Sequence, residues 1–235
     1  MKPCIPMLLA RLLSSPALAS GESPWKAYPD PNYVSGIAID GDVIWCATGG
    51  GVLKRNRIDG SFRVFTIADG LPDNSIDDIT VDSGGTVWCI AGKTYIASFD
   101  GEVWKTYIPG KDLPQTTYYW AVAAGENGAV WFGAREGLIR YGGGAYTQYT
   151  TADGLPSTEV LCICPGPGNT VWAGTVKGLA RFDGRAWNVF TTADGLPGDG
   201  IHDIAFDGRG NVWVATGGGG ARFDGGAWKS WTEAD

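Results

Sequence analysis

Five tandem units of about 42 residues, four short alternating runs in each, and a tryptophan at one fixed place per unit predict an all-β fold. A four-stranded antiparallel unit of this length, repeated, reads as a β-propeller of five four-stranded blades, or as part of a larger ring. The Leu-Pro pair recurs at Leu71-Pro72, Leu113-Pro114, Leu155-Pro156 and Leu196-Pro197, at steps of 42, 42 and 41 residues. Trp45, Trp88, Trp131, Trp172 and Trp213 recur at steps of 43, 43, 41 and 41. The units run over about 32–72, 73–114, 115–156, 157–197 and 198–235.

The fifth unit shows the four runs: residues 201–207, 211–216, 221–225 and 227–232. Period-2 alternation makes each a strand. Asp59-Gly60, Asp100-Gly101, Asp183-Gly184 and Asp224-Gly225 close the third onto the fourth, because glycine accepts the positive φ of a tight hairpin. Strand four ends in a second aromatic pair, such as Trp104 and Tyr107 or Trp187 and Phe190. Large aromatics at fixed places fill the widening gap between twisted sheets packed face to face. Five closing blades is the favoured geometry, since an unclosed ring exposes strand edges and an apolar blade face.

Composition agrees with this reading. The 235 residues include 37 Gly and 11 Trp, and 44% are hydrophobic, which excludes a disordered chain. The formal net charge is -7, with 25 acidic against 18 basic residues, so the chain carries no footprint for phosphate backbones, and nucleic acid is not an expected partner.

Residues 1–20 differ from the rest. Lys2, the apolar stretch Ile5 to Leu13 and the small residues Ala17-Leu18-Ala19 predict a secretory signal peptide and therefore a periplasmic or secreted protein. The stretch is too short for a transmembrane segment. Residues 21–31 hold Trp25-Lys26-Ala27-Tyr28, which matches a fourth strand and predicts an N-terminal edge strand; if the ring is incomplete, self-association follows. Cys46, Cys89, Cys162 and Cys164 sit where small buried apolar residues belong, so buried thiols are expected in place of disulfides or a metal site.

The run from Ala193 to Thr232, with ENGAVWFGAREGLIRYGGGAYTQYT in the third unit and TVWAGTVKGLARFDGRAWNVFT in the fourth, resembles the two-component regulator propeller repeat. The resemblance extends from about Asn32 to Asp235 and rests on GLP, D-x-x-G-x-x-W, G-L-x-R-[FY]-[DG]-G and W-x-x-[FY]-T in that order. It implies a propeller of the kind found in the sensor region of bacterial hybrid sensor kinases, with no shared catalytic set. No transmembrane helix, kinase or receiver portion is read in this chain, so it is not expected to relay phosphate itself.

Loops vary most on the face where strands one begin and strands two turn into three, and variable loops on a rigid scaffold are where recognition resides. There Lys93, Arg135 and Lys177 come from successive units, and Asp77, Tyr119, Trp120, Glu159 and His202 lie at the starts of strands one. Aromatics, carboxylates and cations at a channel mouth suit a carbohydrate, a small polar ligand or a partner protein. His202 is the one histidine and has no Ser or Cys nucleophile signature beside it, so no catalysis, cofactor or metal is expected; the alternatives are a lyase-like or glycosidase-like propeller enzyme and a structural interaction scaffold. Asp69, Asp153 and Asp194 before Gly-Leu-Pro are expected to close turns, and Arg140, Arg181 and Arg222 are equivalent repeat positions.

Overall fold

Alternating apolar residues and glycine turns build residues 33–234, which the computed structural model describes, into five four-stranded antiparallel sheets. Blade 1 comprises β1 (Val34–Asp40), β2 (Val43–Thr48), β3 (Gly51–Asn56) and β4 (Phe62–Phe65). Blade 2 comprises β5 (Ile76–Val81), β6 (Val87–Ala91), β7 (Tyr95–Phe99) and β8 (Trp104–Tyr107). Blade 3 follows with β9 (Tyr119–Ala124), β10 (Val130–Ala134), β11 (Gly137–Gly142) and β12 (Ala145–Tyr149). Blade 4 has β13 (Val160–Pro165), β14 (Val171–Thr175), β15 (Gly178–Phe182) and β16 (Trp187–Phe190). Blade 5 has β17 (Ile201–Phe206), β18 (Val212–Thr216), β19 (Gly219–Phe223) and β20 (Trp228–Trp231). The leader at 1–20 and the edge strand at 21–31 lie outside the described residues.

Strand order within each blade follows the sequence, and β1, β5, β9, β13 and β17 pack on one another in succession. The first strand of each blade therefore lines the axis. Between blades lies the core, in four aromatic groups. Trp45, Phe65, Phe99 and Trp104 fill the first seam, with Phe65 and Phe99 centroids 4.9 Å apart. Trp131, Tyr149, Phe182 and Trp187 fill the third, and Trp172, Phe190, Phe223 and Trp228 the fourth. In the second seam Trp88 meets Tyr107, Tyr141 and Phe132. Each buried ring is worth roughly 1.5–3 kcal/mol of transfer, plus about 0.5–1.5 kcal/mol per oriented pair.

The expectation of a closed five-blade ring is not met. Among the described residues β17 and β1 are not packed together as successive inner strands are. Trp213 of blade 5 is 39% exposed where Trp45, Trp88, Trp131 and Trp172 are 3–6%. Its ring stacks on Trp231 at 5.3 Å, half of the group every other seam completes.

Local sequence explains the turns. In Thr66–Gly70, Thr150–Gly154 and Thr191–Gly195 the Asp at the fourth position accepts the Thr backbone N–H at 2.8–2.9 Å, and the glycine is left-handed. Leu71, Leu155 and Leu196 are thereby driven into the seams, at 3–4% exposure. These aspartates close turns, as the sequence predicts. The third strand of unit five starts at Gly219, two residues before the expected Ala221, because Thr216 accepts the Gly218 N–H and donates to the Gly219 carbonyl. That pair makes a two-residue hairpin of what reads as a four-glycine loop. Cys46 and Cys89 are buried free thiols, Cys164 is buried and Cys162 half-buried.

Candidate functional site

Every inner strand carries the same irregularity near its start. Pairing with the second strand skips one residue between Val34 and Gly36, Ile76 and Asp78, Tyr119 and Ala121, Val160 and Cys162, and Ile201 and Asp203. The skipped residues are Ser35, Asp77, Trp120, Leu161 and His202. A β-bulge re-aims side chains out of the pleat, and bulges gather beside functional sites. Three of the expected site residues, Asp77, Trp120 and His202, thus occupy one repeated position around the axis.

Blades 2 and 3 bring the densest group together. Asp77 accepts the Lys93 backbone N–H at 2.8 Å, and the Lys93 carbonyl accepts the Tyr119 N–H at 2.8 Å. The first contact holds the β6–β7 turn, where Lys93 adopts a left-handed φ of 59°, against the start of β5. The second ties that turn to blade 3. The Lys93 ammonium lies 5.3 Å from the Tyr118 ring centroid, within cation–π range, and Tyr118 lies 5.5 Å from Trp120. The Tyr118 hydroxyl, with Asp77 and Tyr33 further off, raises the Lys93 pKa. Burial raises that of Asp77.

Tyr119 is corrected by the structure. It is fully buried between blades 2 and 3, edge-on to Phe132 at 6.3 Å, and Tyr118 takes its place at the face. Strand alternation, which puts residues 118 and 120 on one side and 119 on the other, carries that signal in the sequence. Arg135 is exposed and reaches this group through its backbone, donating to the Tyr118 carbonyl at 3.0 Å. Glu159 is half-buried, accepting the Val176 N–H with its carbonyl, while Lys177 is exposed in the same blade. His202 is exposed beside the Gly217 turn. These three lie on blades 4 and 5, apart from the Lys93 group.

Asp78 follows the bulge residue Asp77 on β5. Its carboxylate accepts the N–H groups of Ile79 at 2.9 Å and Val122 at 2.8 Å, yet burial dominates and lifts its pKa to about 7. Asp203, the equivalent residue of blade 5, is close enough to add to that rise and is itself raised by burial. The inner strands of blades 2 and 5 therefore carry carboxyl groups that resist ionisation, one residue beyond the bulge positions, near an ammonium group and two aromatic rings on blades 2 and 3. Such a site can hydrogen-bond and stack on a polar ligand. Among the described residues no group of three His, Cys, Asp or Glu is arranged to hold a metal ion, and no helix is long and apolar enough to cross a membrane.

The extracellular domain of a hybrid two component system from B. thetaiotaomicron has a TM-score of 0.70 at 20% identity over 87% of this chain and 29% of that one. The chain thus spans under a third of that structure's length. Virginiamycin B lyase from Staphylococcus aureus gives 0.68 at 19%, over 85% of this chain and 69% of the other. A gluconolactonase from Xanthomonas campestris gives 0.53 at 15%, over 78% and 69%. These identities show a shared fold. No curated protein matches the chain. Residues 195–218 match the family model described as two component regulator propeller, so the chain is a β-propeller array that carries this repeat.

Proposed function

We propose that the protein is an exported, non-catalytic propeller that binds a carbohydrate or other small polar ligand, or a partner protein, at the axial face where the inner strands begin. The recurrence of the bulge in all five inner strands carries the reading, since it gives Asp77, Trp120 and His202 one repeated position at the strand starts and sets Asp77 and Trp120 beside the Lys93–Tyr118 pair. The leader-like residues 1–20 and the likeness to an extracellular sensor domain support export to the periplasm or beyond. Thermal-shift and calorimetric screening of the full chain against glycans and metabolites is the test. A ligand whose affinity falls about tenfold in Trp120→Ala and in Lys93→Ala is expected. No stabilisation by any compound sinks the small-ligand reading, and turnover abolished by His202→Ala overturns the non-catalytic one.

The open face of blade 5 favours a second reading, self-association. Trp213 and Trp231 form half of an interblade aromatic group, and Trp213 is 39% exposed. Sedimentation showing a mass that rises with concentration, and that Trp213→Ser returns to one chain, is the expected result; a monomer at every concentration rejects it.

A further inference from the structure

A separate groove opens on the opposite face, between blades 3 and 4, where each first strand turns into its second. It has a volume of about 360 Å³ and is lined by Trp131, Arg140, Tyr149, Asn169 and Phe182 among others. In two other blades a carboxylate stands at the corresponding place. In blade 2, Asp82 donates its N–H to the Thr86 carbonyl, accepts two turn N–H groups, and takes the Trp88 indole N–H on its second oxygen at 2.9 Å. In blade 5, Asp207 does the same for Trp213 at 3.1 Å. Blade 3 has Gly125 at this place, with the same N–H to carbonyl bond, to Ala129.

Trp131 is 3% exposed, and a Cβ built on Gly125 would lie 2.9 Å from its Nε1, so the indole edge has moved into the space that an Asp side chain would need. No protein group accepts its N–H among the described residues. The nearest acid, Glu126, also lines the groove but turns its carboxylate to the N–H groups of Gly168 and Asn169, at 3.2 and 2.9 Å. Arg140, directly across the strand pair from Trp131, makes no ion pair among the described residues. Blade 4 also has glycine here, Gly166, but a Cβ on it would meet the Phe206 ring at 2.7 Å, so that place is filled. The groove beside blade 3 therefore presents the indole edge of Trp131, with no acceptor, and the Arg140 guanidinium, with no ion-pair partner, among the described residues, walled by Tyr149 and Phe182.

We propose that this groove binds a small carboxylate-bearing molecule whose carboxylate accepts from the Trp131 indole, as Asp82 does from Trp88, and pairs with Arg140. A charge-assisted bond in a partly desolvated groove is among the stronger polar contacts, and rings beside the carboxylate would lie on Tyr149 and Phe182. The site is separate from the axial one and does not depend on it.

Matched probes differing at the carboxylate test the proposal: glucuronate against glucose, and benzoate against benzamide. Calorimetry on the full chain, with the Trp131 indole N–H followed by ¹H–¹⁵N NMR, reads the outcome. Expected is millimolar or tighter binding of at least one acid, none of its neutral partner, and a shift of the indole resonance that is absent in Trp131→Phe. Gly125→Asp sets a side chain against the Trp131 indole and a carboxylate in the groove, and is expected to abolish that binding. Arg140→Gln, which leaves Gly125 untouched, is expected to weaken it about tenfold. Equal binding of acid and neutral probes, no binding of either acid, or binding unchanged in both variants overturns the proposal.

Discussion

Asp78 accepts the backbone N–H of Val122 at 2.8 Å, joining the inner strand of blade 2 to that of blade 3 through a carboxyl group that burial holds near a pKa of about 7. A folded-state pKa above the unfolded value means that the native state binds more protons between about pH 4 and 7. The stability involved is present below the unfolded pKa and is lost as pH rises through the folded one. Asp77 and Asp203 are shifted in the same direction. Asp78→Asn, which keeps one of the two acceptor oxygens, is expected to gain on the order of 2 kcal/mol relative to the wild type between about pH 3 and about pH 8, allowing for the solvent that still reaches the side chain. Urea titrations at the two pH values check this, and an unchanged pH slope in the variant counts against it.

The seams predict a contrast between equivalent tryptophans. Trp172 is 3% exposed and touches Phe190, Phe223 and Trp228, whereas Trp213 is 39% exposed and stacks on Trp231 alone. Trp172→Ala is expected to cost about 3–5 kcal/mol and Trp213→Ala about 1 kcal/mol or less. Denaturant unfolding followed by circular dichroism distinguishes them. Equal costs would mean that the blade 5 face is covered in solution.

Gly178 opens β15 with φ of +139°, and a Cβ there would lie 2.9 Å from the Phe190 carbonyl oxygen of the neighbouring strand. Both the backbone conformation and the close approach exclude a side chain. Gly178→Ala is therefore expected to lose about 2 kcal/mol or more, while Gly184→Ala in the adjoining hairpin, which has open space around it, loses about 1 kcal/mol from its positive φ alone. Melting temperatures of the two variants measure the difference.

Blade count, strand order and the Thr-x-x-Asp-Gly turns are legible in the sequence because each is local: a repeat period, an alternation, a side chain closing its own turn. Asp77, Trp120 and Lys93 come together as their spacing suggests, since equivalent points of neighbouring blades are neighbours in space. What the sequence conceals depends on geometry between units. Tyr119 and Tyr118 are identical in chemistry, and only strand alternation, which the bulge at Trp120 interrupts, tells the buried ring from the other. Whether blade 5 meets blade 1 follows from a twist accumulated over five sheets, which no single residue encodes. Gly125 reads as one more turn glycine until the position of the Trp131 indole shows what it leaves without an acceptor.

Asp69 is shifted opposite to Asp78 and gives the complementary pH limb. Its carboxylate accepts the Thr66 backbone N–H at 2.9 Å and pairs with Arg63 at 2.9 Å, and these contacts, the backbone one first, lower its pKa. A depressed folded pKa gives stability that is present above the unfolded value near about pH 4 and lost as pH falls through the folded one. Removing the carboxylate deletes a turn cap, for which about 1 kcal/mol is the usual cost. The exposed Arg63 pair adds little, because solvent screens it. Asp69→Ala is expected to be less stable than the wild type by about that amount near about pH 7, with the gap closing near about pH 2, where the wild-type carboxyl is protonated as well. Asp69→Asn separates the two contacts, since its amide oxygen can still accept from Thr66 while the ion pair is gone. If the cap dominates, Asn recovers most of the loss; if Arg63 dominates, Asn behaves as Ala does, and added salt erases the effect in the wild type.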